Sequence, residues 1–226
     1  MKDAMIMSFF NVVWDLMHRG GPVLWLLLGL SVVGLTLILE RAWFWLSTNS
    51  SRRLAAMQQM ARHLREGNVA GAKALAEADG GVYGRTVLAL LEEKEVSEAT
   101  GTAIVEAQRG VLERFMPILT SLITGAPLLG LIGTVTGLIS TFRFMSDKMM
   151  TVDPRGVGLG LSEALLNTVA GLAVALIVLF PYNAYRAQID RTLGRLEVLV
   201  AAAIQRTRTG KPAGSPADAD NRVAVG

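Results

Sequence analysis

Three long runs, two without charge and one with a single charged residue, dominate this chain. Gly20 to Leu39 holds 20 residues with no charged side chain, Phe115 to Phe142 holds 28, and Gly156 to Tyr185 holds 30, with Glu163 as its only charged residue. A helix that crosses a bilayer needs about 20 apolar residues, so all three runs are long enough, and the second can tilt or protrude. With 51% apolar residues in 226, the chain is too greasy for an ordinary soluble domain. The expectation is an all-α polytopic membrane protein with three transmembrane helices, extended into the cytosol by long helices.

The first run could instead be a secretory signal. It exceeds the ~7–15 apolar residues of a signal core, and Glu40-Arg41-Ala-Trp-Phe-Trp behind it lacks a small-residue cleavage pattern. An uncleaved helix is therefore expected. Without cysteines there are no disulfides or thiolate metal sites. His18 and His63 fall in different segments, so neither a metal cluster nor any other cofactor is expected.

Basic residues orient the spans. Lys2 and Arg19 precede the first, and Arg143, Lys148 and Arg155 lie between the second and third; the other 17 of 22 fall in 41–114 or from Arg186 onward. Cytoplasmic segments carry the excess of Lys and Arg, which places the N-terminus and the short 143–155 loop outside. The pI near 9.5 reflects this bias, and with no aromatic–basic motif beside it, no nucleic-acid partner is expected.

Between the spans the pattern is helical. Residues 5–17 place apolar groups at 5, 6, 9, 10, 13, 16 and 17, the spacing of a short helix lying in the interface. Behind the first span, helices are expected at 51–66, at 69–78 with Asn68 as its cap, at 83–93, and from Glu98 unbroken into the second span. This insert has too few large apolar residues to fold as a separate domain, so its helices should extend the membrane helices and pack on other copies. Residues 186–208 suggest one more helix, and 209–226 a disordered tail rich in Pro, Gly, Ala and Asp.

Glu163 is the side chain that most calls for a function. A carboxylate at the centre of a membrane helix costs about 2.5 kcal/mol or more. Two readings stand: Glu163 handles charge, or it caps the first turn of its helix, where the dipole favours a negative group.

Small residues form a stripe on each of the last two spans. Ala126, Gly130, Gly133, Gly137 and Ser140 are spaced 4, 3, 4 and 3, and Gly160, Ala164, Thr168, Gly171 and Ala175 are spaced 4, 4, 3 and 4. Such stripes let helix backbones approach closely, within one subunit or between neighbours. Thr120, Thr134 and Thr141 fall on heptad spacing with Pro127 between them. A single membrane threonine usually bonds back to its own helix; three in register, opposite Glu163, Asn167 and Thr168, read as the wall of a polar path. Glu163 and Asn167 are adjacent on the helix surface, whereas Thr168 lies about 140° around from Glu163. A hydroxyl relays a proton but cannot hold one, so such a path needs a titratable group part-way along. Glu163 lies toward the outer end, which leaves a mid-membrane carboxylate to be supplied by a second protein.

At these residues the chain resembles the ExbB/TolQ/MotA family of proton-channel subunits, over nearly everything from Gly20 to about Leu199. The resemblance rests on Gly-Gly-Pro-Val-Leu-Trp and Ile-Leu-Glu-Arg-Ala-Trp-Phe within 20–44. It rests further on Ala-Pro-Leu-Leu-Gly-Leu-Ile-Gly-Thr-Val-Thr-Gly-Leu-Ile at 126–139 and Gly-Leu-Ser-Glu-Ala-Leu-Leu-Asn-Thr-Val-Ala-Gly-Leu at 160–172 with Pro181-Tyr182-Asn183. It implies an inner-membrane pentamer whose second and third spans line a pore holding single-span helices of an ExbD- or TolR-like partner, which carries the missing aspartate. Thr134 and Thr168 match the family's pore threonines and Glu163 its third-span glutamate; Asn167 and Arg143 depart from the pattern. Proton flow would drive motion delivered to a TonB- or TolA-like transducer.

The expected segments are a periplasmic interfacial helix at 1–19, spans at 20–45, 115–142 and 158–185, a cytoplasmic helical region at 46–114, a periplasmic loop at 143–157, a cytoplasmic helix at 186–208 and the tail. The expected proton pathway is Thr134, Glu163, Thr168, Asn167 and Thr141, with Gly130, Gly133, Gly137, Ala164, Gly171 and Ala175 packing the helices. A TolQ-like or gliding-type motor shares this chemistry, while MotA proper, with four spans, fits less well. A passive scaffold is the remaining alternative, and no nucleophile–base pair, phosphate loop or metal set suggests an enzyme.

Overall fold

The structure is a computed structural model that describes residues 21–147 and 154–208. Among these residues every regular element is a helix: α1 (Gly21–Thr48), α2 (Ser51–Arg65), α3 (Val69–Asp79), α4 (Val82–Glu92), α5 (Glu98–Leu112), α6 (Met116–Asp147) and α7 (Pro154–Arg208). The expected helix at 1–19 and tail at 209–226 lie outside the described residues. Of the expected 143–157 loop, residues 143–147 continue α6, 154–157 begin α7, and 148–153 lie outside. Helices α1, α6 and α7 are long and apolar enough to cross a membrane, and the chain is an all-α polytopic membrane protein.

Among the described residues, 21–41, 115–147 and 154–185 form one compact unit. Leu24 and Leu27 of α1 pack with Ala126 of α6 and Val174 of α7, flanked by Leu129, Leu166 and Ala170. Gly34 lets α1 approach closely, since a methyl there would lie 3.1 Å from Val178 and 3.3 Å from Leu122. Toward the other end of α1, the buried Tyr185 hydroxyl donates to the Ile38 carbonyl across 2.7 Å. Arg41, only 2% exposed, holds the Glu40 carboxylate at 2.7 and 3.0 Å and lies 5.6 Å from the centre of the Phe115 ring. Carboxylate and aromatic face together offset its lost hydration. The outer faces are apolar and exposed, as at Leu35, Leu39, Leu128, Val135, Val169 and Phe180, which suits lipid or neighbouring helices rather than water.

The second unit comprises, among the described residues, 42–114 and 186–208. Here an expectation is corrected. The insert does build a core, because the far end of α7 completes it: Met60, Leu64, Tyr83, Val87, Leu90 and Leu112 are fully buried, as are Leu196 and Leu199. Arg195 donates to Asn49 Oδ1 at 2.8 Å and to the Tyr83 hydroxyl at 3.2 Å, and Asn49 donates to Gln188 at 2.9 Å. A methyl on Gly101 would run into Val200, so only glycine lets α5 come this close to α7. Asn68 caps α3 by accepting from the Gly71 N–H at 2.9 Å, as the sequence suggested.

The expected continuous helix from Glu98 into the second span is also corrected. The chain breaks at 113–115, where Phe115 takes a left-handed φ of 68°, costly for a bulky L-residue. Pro117, which has no N–H to donate, falls in the first turn of α6, where that donor is not needed.

Candidate functional site

The two small-residue stripes face each other, antiparallel, inside one chain. A methyl on Gly130 would lie 2.7 Å from the Asn167 carbonyl oxygen and 3.0 Å from Thr168 Cα. One on Gly133 would lie 2.6 Å from Asn167 Cβ, and one on Gly137 2.7 Å from Ala164 Cβ. A methyl on Gly171 would meet the Ala126 carbonyl at 2.5 Å, and one on Gly160 would strike Thr141 Oγ1. Ala126, Ala164 and Ala175 are buried. Backbones this close bring main-chain carbonyls within reach of side chains on the other helix.

Thr134 of α6 and Thr168 of α7 use that closeness. Their hydroxyls are in mutual hydrogen-bond contact. Thr134 Oγ1 also lies 3.1 Å from the Ala164 carbonyl and 3.2 Å from that of Gly130, and Thr168 Oγ1 lies 3.2 Å from the same Gly130 carbonyl. Each hydroxyl has one proton to give and two lone pairs to accept with. Thr134 can donate to Thr168 while Thr168 donates to Gly130, or Thr168 can donate to Thr134 while Thr134 donates to Ala164. The pair can thus reverse its direction without moving a heavy atom, as a proton relay requires. It ends on carbonyls, which do not hold protons, so a titratable group must take over.

The other two threonines of the heptad series bond to their own helix: Thr120 to the Met116 carbonyl at 3.1 Å and Thr141 to that of Gly137 at 2.9 Å. Within one chain the three aligned hydroxyls therefore do not form a continuous string.

Glu163 is half-buried and has no hydrogen bond or ion pair to another described residue. The first-turn alternative falls, because α7 begins at Pro154, more than two turns earlier, and the dipole's effect is confined to the first turn. One turn further on, Asn167 is 5% exposed and its Oδ1 is buried without a hydrogen-bond partner. Asn167 and Thr168 meet α6 on two sides, one over Gly133 and the other beside Thr134. Sequence reasoning missed the carbonyl acceptors of Gly130 and Ala164, since main-chain groups leave no letter. It also missed the orphaned Asn167 oxygen, signalled by a polar residue opposite a glycine.

Comparison with known proteins gives a consistent picture. Residues 81–198 match the model of the MotA/TolQ/ExbB proton channel family. The ExbB-like 3 biopolymer transport protein of Synechocystis is 32% identical over 197 residues, covering 80% of this chain and 91% of the relative. The biopolymer transport protein exbB1 of Vibrio cholerae is 30% identical over 105 residues, 46% of each chain. The Tol-Pal system protein TolQ of Pseudomonas aeruginosa is 33% identical over 88 residues, 37% of this chain and 36% of the relative.

Proposed function

The chain belongs to the MotA/TolQ/ExbB proton channel family, and from that premise we propose that it is an ExbB-type channel subunit that turns proton flow into mechanical work. The observation that carries this reading is the reversible hydroxyl pair between Thr134 of α6 and Thr168 of α7, the helix that also bears Glu163. In this reading five copies surround a pore lined by α6 and α7. An ExbD- or TolR-like single-span partner sits within it and contributes the mid-membrane carboxylate. Thr134, Thr168, Glu163, Asn167 and Thr141 border the path, and the paired stripes hold each subunit's two pore helices together. The subunit sits in the bacterial inner membrane with its N-terminus periplasmic and the α2–α5 region cytoplasmic, as the basic residues favour. The work passes to a periplasmic transducer of TonB type for outer-membrane transport. A proton crossing 100 mV releases about 2.3 kcal/mol, enough to bias a bistable assembly in repeated steps.

A TolQ-like or gliding-type motor would share this machinery. The ExbB-type reading is preferred because an ExbB-like relative aligns over 80% of the chain, against 37% for TolQ. The test is proton flux into liposomes holding the chain and its copurifying partner. Glu163→Gln should abolish most of the flux; flux equal to wild type would remove Glu163 from the path, and no flux from the wild-type assembly would favour a scaffold.

A further inference from the structure

We propose that Asn167 is a positioning residue for Glu163: when the Glu163 carboxyl carries a proton, its O–H is donated to Asn167 Oδ1 and the acid is held in the α6–α7 seam. The inference rests on the proton-channel reading above.

The starting point is the orphaned oxygen. Asn167 is buried, and its Oδ1 has no partner among the described residues. A buried amide oxygen that loses water and gains nothing is a cost folded proteins seldom leave standing. The missing side chain of Gly133 makes room for the Asn167 side chain, since a methyl there would lie 2.6, 2.8 and 3.0 Å from its Cβ, Cγ and Nδ2. The oxygen therefore needs a donor that can reach into this seam.

Few donors qualify. The Thr136 hydroxyl lies 2.9 and 3.1 Å from the Ile132 and Gly133 carbonyls of its own helix. Thr134 and Thr168 bond to each other and to carbonyls. Glu163 lies four residues before Asn167 on α7, the spacing at which helical side chains meet. It is half-buried and has no hydrogen bond or ion pair to another described residue. No other acidic or basic side chain occurs in residues 20–39, 115–142 or 156–185. The nearest charge on α6 is the exposed Arg143, beyond the Thr141–Gly160 contact, and Tyr182 and Tyr185 lie more than five turns along α7.

The step is a plain protonation. A hydronium gives its proton to a Glu163 oxygen and leaves as water, and the new O–H turns to Asn167 Oδ1. Release reverses this, with the proton passing to water or to the next acceptor. Without the proton the O–H bond to Asn167 Oδ1 is lost, and the acid is no longer held there by it. Proton loading and side-chain position are thereby coupled.

The test is proton uptake by liposomes containing the chain and its copurifying partner, followed with an entrapped pH dye as external pH is varied. Asn167→Ala and Asn167→Leu should move the midpoint of the flux–pH profile to lower pH by roughly half to one unit, the effect of one such hydrogen bond. Asn167→Asp, offering a second carboxylate to share the proton, should move it the other way. If Glu163→Gln abolishes flux but the Asn167 variants keep the wild-type midpoint, or if Glu163→Gln leaves flux unchanged, the proposal is overturned and the channel reading stands; if the wild-type liposomes carry no proton flux, the channel reading itself fails. A flux-independent measurement covers poorly assembling variants. In acid-minus-alkaline infrared difference spectra of purified protein, the carboxyl C=O band lost in Glu163→Gln should shift in Asn167→Ala. A band at the wild-type frequency overturns the proposal.

Discussion

The hydroxyl of Thr134 meets that of Thr168 across the α6–α7 seam, and both reach the carbonyl oxygen of Gly130. Two side chains 34 residues apart thus share one main-chain acceptor, an arrangement possible only because Gly130 and Gly133 bring the helices together. In the proposed relay the hydroxyls act as one device, so removing either should cost about as much as removing both. Thr134→Val and Thr168→Val should each lower liposome proton flux about tenfold, the double variant little further, and Thr134→Ser should retain most of it. Independent, multiplying losses would show that the two do not work as a pair.

The glycines divide into two groups with opposite expected responses. Gly133→Ala and Gly137→Ala drive a methyl into Asn167 and Ala164, and should destabilise the chain by about 1–3 kcal/mol through overpacking. Gly110 and Gly194 stand inside helices with nothing within 4 Å of an added methyl. Gly110→Ala and Gly194→Ala should each stabilise by about 0.5–1 kcal/mol, from helix propensity alone. Thermal unfolding in detergent separates the two sets by the sign of the shift.

Tyr185→Phe tests the buried bond to the Ile38 carbonyl, 2.7 Å long. The ring remains and only the hydroxyl goes, so the expected loss is about 1 kcal/mol. Hydrogen exchange should quicken near the end of α1 without a change in helix content. An unchanged exchange pattern would mean the bond contributes nothing net.

The membrane helices were legible because 20 or more residues without charge permit few other structures. The small-residue stripes were legible as close-packing faces, since 3- and 4-residue spacing defines a helix face. Which faces they meet was not, because a stripe carries no address; Gly137 on Ala164 and Gly171 on Ala126 belong to one chain rather than to two copies. The core of the second unit was hidden for a different reason. Tyr83 and Arg195 meet from 112 residues apart, and neither local pattern points to the other. The break at Phe115 was not legible, because the left-handed residue is a phenylalanine, which sequence reasoning does not expect there. At the site, Glu163 stood out by charge, but its neighbour's unpaired oxygen emerged only when Asn167 was seen over Gly133.

Asp79 provides the sharpest test of the second unit. Its carboxylate is only 3% exposed and lies 3.7 Å from Arg53, while Oδ2 accepts from the N–H groups of Gly81 at 3.1 Å and Gly84 at 3.2 Å. It therefore caps α4, just where Gly80 turns the chain with φ 56° and where a methyl on Gly84 would strike the Ala76 carbonyl. The cap needs an oxygen, whereas the ion pair needs a charge, and the long Arg53 contact makes the cap the larger contribution. Asp79→Ala should cost about 1–2 kcal/mol, with faster amide exchange at Gly81 and Gly84. Asp79→Asn, which keeps the accepting oxygen, should lose less than half as much. Equal losses in the two variants would assign the stabilisation to the Arg53 pair instead.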